Sequence, residues 1–168
     1  MCAIQPNIRQ RHDKTGTLQP GTIGPSKPQR EWIGLSLTGD QVTVELLPQP
    51  PHPSAPAYLQ SIDLEVGFTR PRHEVAEQFD PEEMLRNFVK AYSGIVMSVG
   101  QILIFEFHGH TLKATVRAVS LLDLADEQRK GVPQGQRYEH LGILMDKTDV
   151  TFMKAPDSAI KIKSSAKR

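Results

Sequence analysis

The chain of 168 residues has one cysteine, Cys2. That scarcity excludes an internal disulfide framework and a zinc site built from thiolates. Cys2 sits in a polar tail with no base beside it, so it does not read as a nucleophile. A reducing, cytoplasmic setting is expected. No run of 18 apolar residues exists, so no spanning helix and no direct membrane insertion are expected. The first fourteen residues lack the apolar centre of a signal peptide. Charge of one sign is missing too: 20 basic and 19 acidic residues leave a formal net charge of +1. No wholesale field for nucleic acid follows from that, and any electrostatic role must come from local clusters.

Familiar catalytic motifs are also missing. "GTLQPGT" (Gly16–Thr22) carries two glycines at phosphate-loop spacing but lacks the lysine and hydroxyl pair that must follow. There is no dinucleotide fingerprint and no G-x-S-x-G. The acidic residues near Asp126 read as a solvated loop rather than a carboxylate pair.

What is there is alternation. Trp32–Leu35 reads as a short strand, Gly39-Asp40 as a turn, and Gln41–Leu47 as a strand with Val42, Val44 and Leu46 on one face. Pro48–Pro56, "PQPPHPSAP", holds five prolines in nine residues and reads as a stiff linker between two parts. Tyr58–Phe68 restarts the alternation, with Ile62, Leu64, Val66 and Phe68 facing one way. Arg70–His73 is a basic turn. "DPEEMLRNFVKAY" carries the strongest helix signal: Asp80 as N-cap, Pro81 at the first position, Glu83 completing a capping box, and an apolar stripe of Met84, Leu85, Phe88, Val89 and Tyr92. Gly94 is placed to end it. Ser98–Phe107 and Thr111–Val119 form a hairpin about "HGH", and "HLGILM", "DVTFMK" and "AIKI" are short terminal strands. The second part is therefore α+β: strands, one amphipathic helix, then strands.

His108 and His110 invite a metal reading, with His73, His140 or Glu106 as a third ligand. A hairpin turn with exposed imidazoles is the simpler account. What remains is local positive charge: Lys27 and Arg30 ahead of the tryptophan, and Arg70 and Arg72 on the basic turn. Arginine forks suit carboxylates.

The stretch "PGTIGPSKPQREWIGLSL" (Pro20–Leu37) resembles a block of the N-terminal domain of the N-ethylmaleimide-sensitive fusion protein family, the AAA ATPases of vesicle fusion. The family pattern, P-G-x-I followed by Q-R-x-W-x-G-x-S, is met by Pro20, Gly21, Ile23, Gln29, Arg30, Trp32, Gly34 and Ser36. The similarity continues in "YLQSIDLEVGF", "FVKAYSGIVMSVGQILIFEFHGH" and "GILMDKTDVTFMK", from about Gln19 to Lys163, in the family's order. The resemblance implies a mostly β protein in two subdomains: a partial double-psi β-barrel over residues 20–47, and an α/β roll over 57–163. Residues 1–19 are an unmatched tail, 48–56 the linker and 164–168 a basic tail. It implies that strands are missing before residue 20 and that the ATPase domains are missing after residue 168. ATP and Mg would belong to those missing rings, and this chain would carry no cofactor and no catalytic residue. The parent would be a hexamer and the isolated chain a monomer. The implied role is to grip soluble attachment proteins bound to SNARE complexes, with Arg30, Arg70, Arg72 and Lys27 against acidic residues. Glu31, where many members carry a second base, and Pro71, which splits the other pair, depart from the pattern. The same architecture in related AAA proteins holds ubiquitin-pathway cofactors, which is the alternative of the same class. A small metal hydrolase at His108/His110 is the alternative of another class.

Overall fold

A computed structural model describes residues 22–36, 40–44, 57–70, 73–122 and 141–163. The tails, Gly39 of the expected turn, the Pro-rich stretch, Glu45–Leu47, Pro71, Arg72, Asp126 and His140 lie outside the described residues. The chain divides into two compact units, Met1–Pro48 and Gln49–Arg168.

In the first unit the expected strand at Trp32–Leu35 is instead the end of a helix, α1 (Lys27–Ile33). The local chemistry accounts for it. Ser26 is the N-cap, in an extended conformation, and its hydroxyl accepts from Gln29 N while Gln29 Oε1 accepts from Ser26 N at 2.7 Å. Two otherwise unpaired N–H groups are thus satisfied reciprocally. Pro28, in the first turn, lacks a donor that would have no partner there anyway. Gly34 ends the helix in the left-handed region at φ 71, where a Cβ would be strained. The second expected strand is not formed over its described part: residues 41–44 carry no strand, and Val42 and Val44 are 40% and 61% exposed. No residue of α1 is buried.

The second unit supplies every buried apolar side chain among the described residues, from Leu59 to Ile160. Its strands are β1 (Leu59–Phe68), β2 (Val96–Ser98), β3 (Ile102–Phe107), β4 (His110–Leu121), β5 (Leu141–Ile143) and β6 (Asp149–Lys154), with α2 (Pro81–Tyr92) between β1 and β2. The main sheet is open, in the order β3-β4-β1-β6. β1 pairs antiparallel with β4 and parallel with β6, so the first and last strands of the unit lie side by side. A second small sheet pairs β2 with β5.

The period-two pattern decides the faces. Ile62, Leu64 and Val66 of β1 and Leu112, Ala114 and Val116 of β4 are buried, as the alternation requires. α2 covers them. Its stripe sends Met84 and Phe88 fully into the core, and Phe88 meets Phe105 and Phe152 edge-on at 5.6 and 6.0 Å. At its end Tyr92 Oη donates to Ile104 O at 2.7 Å. Two glycines are required by close approach. A Cβ on Gly67 would stand 2.9 Å from Ser158 Cβ, and one on Gly142 would stand 2.5 Å from Leu59 Cδ2 and 2.7 Å from Leu121 Cδ2. "SVGQILIFEF" is broken by a turn at Gly100, φ 83, between β2 and β3. Within "AIKI" the described pairing is a single bridge, Ile162 to Phe79. The mostly β, α+β class with one amphipathic helix in the second part is what the structure has; a second, shorter helix in the first unit is new.

Candidate functional site

Of the four basic residues singled out, Lys27 and Arg30 lie on α1, Arg70 lies just beyond β1, and Arg72 falls outside the described residues. Lys27 is exposed at the start of α1. Arg30, half-buried, stands three positions on and so projects from the same side of the helix. One of its five N–H donors is engaged at home: Nη1 donates to Pro25 O at 2.9 Å. The rest of its fork determines what it can offer a carboxylate.

In the second unit the basic turn is tied to the β3–β4 hairpin. The antiparallel pairing runs on past Phe68: Thr69 N and Thr69 Oγ1 both donate to Thr111 O, each at 3.2 Å. Arg70 is exposed, and its carbonyl accepts from His73 N at 3.3 Å. The ring of His73 then meets that of His110, Nε2 to Nδ1, at 3.3 Å. Phe68 packs edge-on to both imidazoles, at 4.7 and 5.8 Å. Thr69 and His73, on either side of Arg70, are thus both bonded to the hairpin.

The two histidines of "HGH" part company. His110 turns to His73, whereas His108 turns to a pair of glutamates: Nδ1 is 2.7 Å from Glu77 Oε1 and Nε2 is 2.9 Å from Glu83 Oε1. The hydrogen bond that His108 donates to Glu83, then that to Glu77, raises the His108 pKa above its usual value. Glu83 does not complete the expected capping box on α2. Asp80 caps alone, with Oδ1 accepting from Glu82 N at 2.9 Å and Glu83 N at 3.4 Å, because the Glu83 carboxylate is drawn to His108. Among the described residues no group of three or more metal-ligating side chains converges. The Glu77–His108–Glu83 arrangement escaped the sequence reading, which weighed His108 as a metal ligand or as an exposed imidazole on a hairpin turn. The signal available was a glutamate on each side of the helix start.

The second unit is thus a mostly β, α+β domain: an open four-stranded sheet backed by one helix, with Arg70 exposed just beyond β1. Residues 78–125, from the approach to α2 through β4, match the family model described as cell division protein 48 (CDC48), domain 2. Over 148 residues the chain is 36% identical to the vesicular-fusion protein sec18 of Schizosaccharomyces pombe, covering 88% of this chain and 18% of that protein. It is 36% identical over 149 residues to SEC18 of Saccharomyces cerevisiae, covering 88% and 19%, and 27% identical over 150 residues to SEC18 of Candida albicans, covering 89% and 19%. The chain is homologous to these vesicular-fusion proteins, and it spans less than a fifth of their length. No helix among the described residues is long and apolar enough to cross a membrane.

Proposed function

We propose that the chain is the adaptor-binding N domain of a vesicular-fusion ATPase. In this reading it grips soluble attachment proteins that sit on SNARE complexes, and ring domains outside this chain hydrolyse ATP with Mg to pull those complexes apart. The chain itself holds no nucleotide, catalyses nothing and acts at secretory membranes through its partners. The observation that carries the reading is 36% identity across 88% of the chain to a protein named for vesicular fusion.

Arg30, Arg70, Arg72 and Lys27 are the contacts on this reading. The exposure of Lys27 and Arg70 favours the role, and the bracing of Arg70 from Thr69 and His73 lowers the ordering cost of a contact there. Glu31 beside Arg30 weakens that patch. Purified chain and attachment protein are to be titrated at low and at physiological salt. Rim charges are screened within about 8 Å at physiological ionic strength, so binding is expected to be weak and to fall as salt rises. Arg70→Glu with Arg72→Glu is expected to weaken it, most visibly at low salt; unchanged affinity in that double variant moves the site elsewhere.

The match of residues 78–125 to CDC48 domain 2 favours one further reading, an N domain that holds ubiquitin-pathway cofactors. Binding of such a cofactor, with none of the attachment protein, would select it.

A further inference from the structure

His108 lies at the tip of the β3–β4 hairpin, Glu77 in the segment that follows the basic turn, and Glu83 in the first turn of α2. Both ring nitrogens of His108 face carboxylate oxygens, at 2.7 and 2.9 Å. A neutral imidazole has one N–H and one lone pair, so it can donate to only one of the two; the other carboxylate would meet a lone pair inside hydrogen-bond distance. An imidazolium donates to both. The geometry is that of a cation shared by two anions from two different segments. The rest of the site holds the ring in this pose. It stacks on Phe107 at 4.2 Å and 11°, Phe79 lies edge-on at 6.2 Å, and the backbone at His108 sits at φ 48, uncommon for a residue other than glycine.

We infer that protonated His108 is a latch: it ties the segment between the basic turn and α2 to the β3–β4 hairpin, and loss of its proton loosens the turn that carries Arg70. The consequence for a partner rests on the proposed role of Arg70; the latch itself does not. The path is short. Thr69 and His73, on either side of Arg70, are bonded to Thr111 and His110 of the hairpin, and the chain from His73 next meets the hairpin at His108 through Glu77.

The charged groups about the latch are few. The 73–80 segment contributes Glu74, Glu77 and Asp80. Asp80 is committed to capping α2 and lies 3.9 Å from Lys163. The first turn of α2 contributes Glu82 and Glu83. The hairpin contributes Glu106, which accepts from Thr111 Oγ1 at 2.6 Å, and His110, which faces His73. The positive end of the helix dipole opposes an imidazolium slightly, and two carboxylates at hydrogen-bond distance outweigh it.

The direction with pH follows. The partnered His108 has its pKa raised above the ordinary value, so its stabilising contribution is full below the unfolded-state pKa and fades as pH rises through the raised one.

Ring-nitrogen NMR of the full chain reads the protonation of His108 directly, and amide protection factors at Thr69 and His73 read the turn with intrinsic exchange rates divided out. Both ring nitrogens of His108 are expected to be protonated at about pH 6. The midpoint is expected to fall in Glu77→Gln and in Glu83→Gln. Protection at Thr69 and His73 is expected to drop severalfold in His108→Gln and, in the unaltered chain, on the alkaline side of the midpoint, while Phe79, bonded to Lys161, keeps its protection. A neutral His108 at that pH, or protection at His73 that ignores His108→Gln, overturns the latch. Attachment-protein binding across the same range separates the two ideas. Binding that loses its pH dependence in His108→Gln supports the coupling to Arg70, and pH dependence that survives unchanged in that variant overturns it. A titrating latch in a chain that binds no attachment protein at any pH supports the latch and defeats the proposed function alone.

Discussion

Tyr92 Oη donates to the carbonyl of Ile104 at 2.7 Å, so the last turn of α2 holds an edge strand, β3. The bond occupies a carbonyl on the unpaired side of the sheet, where another chain could otherwise dock. Burial raises the Tyr92 pKa, so the phenol stays a donor throughout the neutral range.

Tyr92→Phe removes that bond and keeps the ring against Phe88, 5.0 Å away. A loss of about 0.5–1.5 kcal/mol is expected in denaturant titration, since the carbonyl at the sheet edge recovers water. A neutral result would mean that the bond adds nothing net.

Gly142→Ala tests the closest approach in the unit. The new methyl would fall inside the contact distance of Leu59 and Leu121, and Leu59 is only 3% exposed and has little room to move. Destabilisation of about 1–3 kcal/mol is expected, again by denaturant titration, with β2 and β5 the first to lose amide protection.

Arg117 and Glu65 make a two-pronged pair across β4 and β1, Nε to Oε2 at 2.9 Å and Nη2 to Oε1 at 2.7 Å. The arginine side chain is 53% exposed, so water screens most of the attraction. Arg117→Ala is expected to cause only a small loss in denaturant titration, smaller still at high salt. A loss several times larger would show that the arginine also packs over the sheet.

The two units should differ in protection. Every buried apolar side chain among the described residues lies in the second unit, whereas α1 buries none and Val44 is 61% exposed. Hydrogen exchange should find strongly protected amides through Ile102–Val119 and fast exchange through Trp32–Val44. Equal, strong protection in both would contradict this division.

Much of the second unit was legible because two periods announce it. The alternation in β1 and β4 marks Ile62, Leu64, Val66, Leu112, Ala114 and Val116, which are buried; of the α2 stripe Met84 and Phe88 are buried while Leu85, Val89 and Tyr92 are only partly so, and Asp80-Pro81 marks the helix start to the residue. The first unit misled for a physical reason. Trp32, Ile33 and Leu35 look like a strand by composition, while the stronger instruction lies just upstream: Ser26 and Gln29 satisfy each other's backbone, and Gly34 closes the helix. Local hydrogen bonds outweighed a short apolar run. Of the candidate site, the sequence identified Arg70 and its turn. It could not pair His108 with Glu77 and Glu83, because those contacts span 31 and 25 residues and depend on where the sheet sets α2.

The parallel seam between β1 and β6 also sets the order in which the second unit becomes complete as it is made. Phe68 N reaches Ser158 Oγ across 90 residues, and Leu64 finds Phe152 only when the last strand arrives. On a ribosome β1 emerges first and waits for β4 and then β6, with Ile62, Leu64 and Val66 uncovered and both edges open. Such long-range pairing is slow to form and prone to association in the interval. A nascent chain halted before Asp149 should therefore be the state of this protein that a chaperone holds.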